Sequence, residues 1–146
     1  MTAEYMMKKY IKQHKISDFE VSSAGIEANP QTINTFLVTD LKQRAIDVSW
    51  HHQTKITKEI LDKQDIVVAM WYNHRDFIKQ NRWRDVFLFN ELAYHRKTPV
   101  LDIEETISSE DLNEETRDEY EDHVVDHIEK RTPAVFASIQ KQIITN

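Results

Sequence analysis

Two short, continuously apolar runs constrain the fold of this chain more than any other feature. The first spans residues 65–70 and the second spans residues 85–89. Runs this short, rich in β-branched and aromatic side chains, are typical of strands buried on both faces of a parallel sheet. Each run is followed by a helical pattern, over 74–80 and 90–94. The alternation of strand and helix predicts an α/β fold rather than a bundle or a sandwich.

Helical spacing of apolar residues accounts for most of the remaining chain. We predict further helices, the third of them capped by Thr54 or Thr57, and a short strand that enters a turn at Gly25. The helices span 2–14, 32–44, 57–62, 110–130 and 133–144, and the strand spans 19–24. No linker rich in glycine or serine interrupts this pattern, which predicts a single domain over residues 1–146.

The sequence begins with a helical pattern, and this is unusual for an alternating fold. In a flavodoxin-like order the first strand is central, and the loop that follows it binds an anion at the first helix. Neither that strand nor that loop is visible ahead of the first helix. We therefore expect a flavodoxin-like, three-layer doubly wound parallel sheet that misses its first, central strand, in an N-terminally truncated domain.

The composition excludes several kinds of chemistry. With no cysteine among 146 residues, the chain has no disulfide, no thiolate zinc site and no thiol nucleophile of its own. A single glycine, Gly25, also excludes glycine-rich phosphate loops and dinucleotide motifs. Because Gly25 is the only residue with free access to a positive φ, we expect a sharp turn there. No cofactor is predicted.

Charge and hydropathy limit the partners. The net charge is −6, and from residue 100 onward there are 13 acidic but only 4 basic side chains, a surplus that a solvated helix face would explain. Such a balance argues against nucleic acid as a partner. No apolar stretch is long enough for a membrane helix, and no secretory signal begins the sequence, so we expect a cytoplasmic protein without a membrane partner.

Four segments, taken together, carry a family resemblance. They are 1–4, 19–25 with its Ser-Ala-Gly turn, 45–51 with Ile-Asp-Val-Ser-Trp-His, and the strand at 61–70 that ends in methionine. In this order they resemble the low molecular weight protein-tyrosine phosphatase family, from just after its Cys-x5-Arg loop and Ser-Pro. One departure is Ala45, which stands where the family has a glycine.

The resemblance implies a phosphomonoester hydrolase that uses a cysteine thiolate, an arginine in the phosphate loop and an aspartic acid. Asp102 resembles that general acid, although the aromatic pair of the family's Asp-Pro-Tyr-Tyr loop is missing. The resemblance also implies that Ser22 and Ser23 support the phosphate loop. The substrate would be a phosphorylated protein or a small phosphomonoester if that loop is restored. Without cysteine and loop arginine, this chain is expected to be inactive; the alternative is a non-catalytic binding or regulatory module.

Each candidate residue also has a purely structural interpretation. Asp102 is either the general acid or part of an acidic loop before the last helix, and the two serines either support a phosphate loop or form a turn. Trp50 and Trp71 either line a substrate site or pack at its rim. These alternatives cannot be separated from the sequence.

A pair of histidines has a spacing that a metal site could use. His123 and His127 lie four residues apart on a predicted helix, beside Asp122 and Asp126. That spacing suits a divalent metal, but charged helices more often carry such pairs as solvated side chains, and no third ligand is evident. We predict no metal site.

Overall fold

A computed structural model describes residues 1–27, 33–81, 83–100 and 113–145. In these ranges six helices and two short strands follow one another. They are α1 (Thr2–Gln13), α2 (Thr35–Gln43), α3 (Lys58–Asp62), β1 (Val68–Ala69), α4 (Tyr72–Gln80), β2 (Phe87–Leu88), α5 (Phe89–Tyr94) and α6 (Glu114–Thr145). The predicted helices at 2–14, 32–44, 57–62, 74–80 and 90–94 are confirmed within the described residues, with boundaries that differ by a few residues. The Thr57 hydroxyl caps α3 by accepting from the Ile60 amide at 3.3 Å.

The sheet is parallel but short. Strands β1 and β2 pair in register, with Val68 opposite Phe87 and Ala69 opposite Leu88. This confirms the α/β class and the parallel pairing predicted from the two apolar runs. Within the described ranges no other strand joins this sheet.

The predicted strand at 19–24 is wrong for the described structure. Only Gly25 forms an isolated parallel bridge, to Lys55, through two backbone hydrogen bonds of 2.9 Å. Alternating side chains alone do not make a strand, because a strand also needs a neighbour for its amides and carbonyls. Gly25 does not use the conformational freedom of glycine, since its backbone is not in the left-handed region.

Helix α6 organises the core. It packs against α1 and α5, and its buried residues Val125, Ile128, Val135 and Phe136 join Met6 of α1 in one apolar cluster. A second, smaller cluster lies between α3, α4 and the sheet. None of the helices in the described part of the chain is both long and apolar enough to span a bilayer.

Two separate helices were predicted where α6 is continuous. Pro133 lies inside α6 and cannot donate to the carbonyl one turn earlier. The helix persists because Thr132, Val135 and Phe136 around the proline are buried in the core, and the Thr132 hydroxyl donates to the Ile128 carbonyl at 2.8 Å. Tertiary packing therefore outweighs the helix-breaking tendency of proline at this position.

The acidic side chains of α6 are only partly solvated, contrary to expectation. Arg44, at the end of α2, contacts Asp122 at 2.9 Å, and Asp126 and Glu129 at 2.7 Å each, besides Asp40 on its own helix at 2.9 Å. Burial alone would lower the pKa of Arg44, but the hydrogen bonds that Arg44 donates to Asp40, Glu129 and Asp126 outweigh burial and raise it. Arg44 thereby ties α2 to α6.

Three helices are followed by a residue with a left-handed backbone conformation, and none of these residues is glycine. Lys15, Ala45 and His95 follow α1, α2 and α5 closely, with φ values of 53°, 60° and 59°. After α2, the amides of Ala45 and Ile46 donate back to Lys42 and Leu41 at 3.0 and 2.8 Å, which is the Schellman pattern. Ala45 therefore keeps the conformation that suits the family's glycine, at a cost of about 1 kcal/mol for its Cβ.

Replacing Ala45 by glycine should therefore stabilise the protein. We expect Ala45→Gly to raise the free energy of unfolding by about 0.5–1 kcal/mol in urea titrations, because the steric cost exceeds the added freedom of the unfolded chain. Ala137→Gly, on the exposed side of α6, is the matched control and should destabilise by about 1 kcal/mol. Equal destabilisation by both changes would contradict the strain assigned to Ala45.

Candidate functional site

The first turn of α1 gathers a small polar cluster, which we call the Glu4 cluster (Glu4, Ser23 and His51). The Ser23 hydroxyl donates to Glu4 Oε2 at 2.6 Å, and the Lys8 ammonium donates to Glu4 Oε1. The Glu4 side chain is only 8% exposed. Burial would raise the pKa of Glu4, but the hydrogen bonds from Lys8 and Ser23 outweigh it and hold this pKa below its usual value.

His51 completes the cluster from the segment after α2. Its Nδ1 lies 4.0 Å from Glu4 Oε2, and its ring meets Tyr5 edge-on at 5.6 Å between centroids. Burial lowers the pKa of His51, and the nearby α-ammonium of Met1 lowers it further, against the opposing effect of Glu4. The imidazole is therefore neutral at physiological pH and is held beside a buried carboxylate.

This arrangement can orient groups at the start of α1 but has no activated nucleophile. The helix start offers free backbone amides, which favour an anion. The Ser23 hydroxyl is bound to Glu4, whose depressed pKa makes that carboxylate a poor base for activating it. No cysteine exists in the sequence to take the nucleophilic role.

Four arginines of the described chain are engaged away from the Glu4 cluster, namely Arg44, Arg75, Arg84 and Arg131. Besides Arg44, Arg84 donates to the carbonyls of Leu61, Gln64 and Asp65. Arg75 pairs with Asp76, and Arg131 lies over the Tyr94 ring at 4.4 Å. None of these guanidinium groups reaches the start of α1, so none of them is placed to bind the oxygens of a phosphoryl group there.

A second group of contacts lies at the carboxyl end of β1. The Val100 amide donates to the Met70 carbonyl at 2.9 Å, and the Asn90 side chain donates to the Pro99 carbonyl at 2.7 Å. The Tyr72 hydroxyl donates a hydrogen bond to the Lys97 carbonyl at 2.7 Å. These bonds fix the chain up to Val100. Asp102 comes two residues later and lies outside the described residues, so its role as general acid stays a prediction.

The other predicted site residues are not all brought together. Ser23 belongs to the Glu4 cluster, whereas the neighbouring Ser22 is exposed. Trp50 precedes His51 but is 83% exposed, and Trp71 lies at the end of β1 against Tyr72, with ring centroids 5.6 Å apart. Their proposed roles in substrate binding stay predictions.

Glu4 is the functional candidate that the sequence did not reveal. Its only local signals are an acidic residue in the first turn of a helix and a lysine four residues later, and both are common on solvated helices. The contact with Ser23 joins residues 19 positions apart in the chain. That contact depends on the tertiary structure and has no sequence pattern.

Three of the four residues whose spacing suits a metal have other partners. Asp122 and Asp126 bind Arg44, and His127 Nε2 lies 2.8 Å from Asn90 Oδ1, so this histidine is half-buried rather than solvated. His123 is exposed. In the part of the chain that the structure describes, no three potential ligands converge to hold a metal ion.

Comparison with known proteins identifies the family. The sequence model described as "Low molecular weight phosphotyrosine protein phosphatase" matches residues 1–144. The chain belongs to this family. A curated relative, the protein-arginine-phosphatase of Bacillus subtilis (strain 168), is 31% identical over 118 residues, which cover 78% of this chain and 77% of the relative. The resemblance seen in the four sequence segments is confirmed.

Solved structures of family members share the fold. A YwlE mutant from Bacillus subtilis has a TM-score of 0.76 at 22% identity and covers 97% of this chain and 88% of its own. A protein tyrosine phosphatase from Entamoeba histolytica has a TM-score of 0.75 at 17% identity, with coverages of 96% and 86%. At these identities the likeness shows the fold alone.

Removing the Ser23 hydroxyl should weaken the Glu4 cluster. Because the hydroxyl donates to a buried carboxylate, Ser23→Ala should lower the free energy of unfolding by about 1–2 kcal/mol in urea titrations at neutral pH. The exposed neighbour Ser22 provides the control, and Ser22→Ala should stay within about 0.5 kcal/mol of the parent. Indistinguishable effects of the two changes would contradict the cluster.

Acidification should destabilise the fold before any carboxylate titrates. Burial lowers the pKa of both His51 and His127, so the folded protein keeps these imidazoles neutral. In the unfolded chain these imidazoles take up protons at about pH 6.5. The stability that they contribute is therefore fully present above that pH, and it is lost as the pH falls toward the lower pKa values of the folded state. Urea midpoints measured from about pH 7.5 to about pH 5 should decrease.

The same titration separates the contribution of His51. His51→Gln should flatten this decrease, whereas His123→Gln, which changes an exposed histidine of α6, should flatten it less. The lowered pKa of Glu4 adds a further loss only below about pH 4.5. Stability that increases on acidification between about pH 7 and about pH 5 would contradict the neutral, buried state of the two histidines.

Proposed function

We propose that this chain provides the scaffold of a phosphoryl-binding site for phosphorylated proteins, and that by itself it has no thiolate-dependent turnover. The observation that carries the proposal is the Glu4 cluster at the start of α1. In the family, the Cys-x5-Arg loop leads directly into the first helix. Glu4, Ser23 and His51 gather at that end of the helix, where they would support such a loop.

The sheet supports the same proposal. The Phe87 amide donates to the Val67 carbonyl at 3.1 Å, so Val68 directs its backbone groups toward the other edge of β1. No described strand pairs with that edge. We propose that β1 and β2 belong to a three-layer, doubly wound sheet whose central strand is not among the 146 residues of this sequence.

The substrate class follows from two features. The loop that starts at Pro99 lacks the aromatic pair that the family uses beside its acid, which weakens the case for an aryl phosphate. The curated relative is named a protein-arginine-phosphatase. We therefore propose phosphoarginine in proteins ahead of phosphotyrosine, with Asp102 as the general acid. The cytoplasmic location and the single domain over 1–146 stay predictions.

A fusion tests this function. A strand followed by a Cys-x5-Arg-Ser-Pro segment is joined ahead of Met1, and hydrolysis of a phosphoarginine peptide and a phosphotyrosine peptide is measured. The matched control carries serine in place of that cysteine. We expect turnover only with the cysteine, and Asp102→Asn in the active fusion should lower kcat by about 10²–10⁴-fold for the arginine peptide.

Three results would contradict parts of the proposal. A fusion that folds, by circular dichroism and cooperative unfolding, yet hydrolyses neither peptide would overturn the scaffold. Faster turnover of the phosphotyrosine peptide would overturn the substrate order. Full activity of the Asp102→Asn fusion would remove Asp102 from the mechanism.

A further inference from the structure

The peptide unit that joins Pro99 to Val100 is held from both sides. Its carbonyl oxygen accepts a hydrogen bond from the Asn90 side-chain amide at 2.7 Å, and its N–H donates to the Met70 carbonyl at 2.9 Å. Asn90 lies in the first turn of α5, and Met70 directly follows β1. One peptide plane is thus fixed between a helix and the end of a strand. We call this arrangement the peptide clamp (Met70, Asn90, Pro99 and Val100).

A histidine of α6 orients the amide of Asn90. The Nε2 atom of His127 lies 2.8 Å from Asn90 Oδ1. Because the Pro99 carbonyl can only accept, the NH₂ group of Asn90 must face it, and Oδ1 must face His127. The same contact requires a proton on Nε2. Burial lowers the pKa of His127 and the Arg131 charge lowers it further, so the ring is neutral and carries this proton alone.

Burial makes the direction of these bonds important. Asn90 is 7% exposed, and the His127 ring lies between Phe89 and Tyr94, with centroids 6.3 and 5.8 Å away. A buried carboxamide costs free energy unless its donors and acceptor are bonded, whereas an apolar side chain would fill the same space without that requirement. A fully bonded polar network of this kind fixes one arrangement of the chain.

The peptide clamp lies where folds of this class open their ligand sites. In a doubly wound sheet, ligands bind beyond the carboxyl ends of the strands. The peptide clamp joins the carboxyl end of β1 to the segment that leaves it, and Asp102 follows Val100 by two positions in the sequence. Because two residues span only about 7 Å, the placement of Val100 limits where Asp102 can lie.

We propose that Asn90 is a positioning residue for the general acid and that His127 acts through it. In this role, which rests on the proposed function of Asp102, Asn90 fixes the peptide from which the chain continues to the acid. The role requires no contact between Asn90 and the substrate. Loss of the Asn90 amide should therefore slow proton transfer to the leaving group and leave substrate binding unchanged.

Hydrogen exchange in the 146-residue chain tests the peptide clamp without any activity. Exchange of the Val100 amide is measured by NMR and compared with the Phe87 amide, which bonds Val67 within the sheet. Asn90→Leu keeps the size of the side chain and removes both of its hydrogen bonds. We expect exchange at Val100 to accelerate about tenfold or more relative to Phe87.

Two further variants and one spectrum complete this test. Asn81→Leu is the matched control, because it removes an equally short bond, 2.7 Å from an asparagine amide to the Phe77 carbonyl, at the end of α4. It should leave the ratio of the two rates within about twofold of the parent. His127→Gln, which keeps an N–H toward Asn90, should resemble the parent more closely than His127→Leu does. In the unaltered chain, imidazole ¹⁵N shifts should show the His127 proton on Nε2.

The fusion that carries the Cys-x5-Arg-Ser-Pro segment tests the role in catalysis. The ratio kcat/KM is measured for the phosphoarginine peptide and for p-nitrophenyl phosphate, whose leaving group departs as a stable anion and needs a proton least. Asn90→Leu should lower kcat/KM by about 10–100-fold for the peptide and by less than about threefold for the ester. In a fusion that already carries Asp102→Asn, Asn90→Leu should have no further effect on the peptide.

The possible results separate this role from the proposed function. Equal acceleration at Val100 and Phe87, or a His127 proton on Nδ1, would overturn the peptide clamp. Equal losses of kcat/KM for both substrates, or a loss that persists beside Asp102→Asn, would overturn the positioning role and reduce Asn90 to a structural residue. A folded fusion that hydrolyses neither substrate would overturn the proposed function and the positioning role with it, while hydrogen exchange would still decide the peptide clamp.

Discussion

The packing of α6 against α1 and α5 is the contact on which the rest of the described fold depends. Val125, Ile128, Val135 and Phe136 contribute one side of the main apolar cluster, and they continue it across Pro133 without a break in the helix. Because α1 rests on this surface, α6 also fixes the direction in which the first turn of α1 points. The geometry of the Glu4 cluster therefore depends on a helix that contributes no residue to it.

Ion pairs around α6 add specific contacts between the helices to this apolar packing. Glu129 binds both Lys9 of α1 and Arg44 of α2, at 2.7 Å each, so one carboxylate links three helices. Part of the negative charge of α6 is thus paired with Arg44 and Lys9, and these ion pairs hold the three helices together.

The sequence was most informative where a local pattern decides the structure. The apolar runs at 65–70 and 85–89 correctly indicated parallel strands, and the Thr57 cap of α3 was visible as a start signal. The strand at 19–24 and the break at Pro133 were wrong because neighbours in space decide pairing and helix continuity. The sequence gives no signal for Glu4 for the same reason, because its burial and its contact with Ser23 arise only from folding.

The family supplies a scaffold for phosphoryl transfer, and this chain of 146 residues contains no sulfur nucleophile to use it. The most direct test is the rate at which the 146-residue chain hydrolyses p-nitrophenyl phosphate at neutral pH. The account predicts the rate of buffer alone, because the sequence has no cysteine and the Ser23 hydroxyl is bound to a weakly basic carboxylate. Clear turnover that Ser23→Ala or Asp102→Asn abolishes would contradict it.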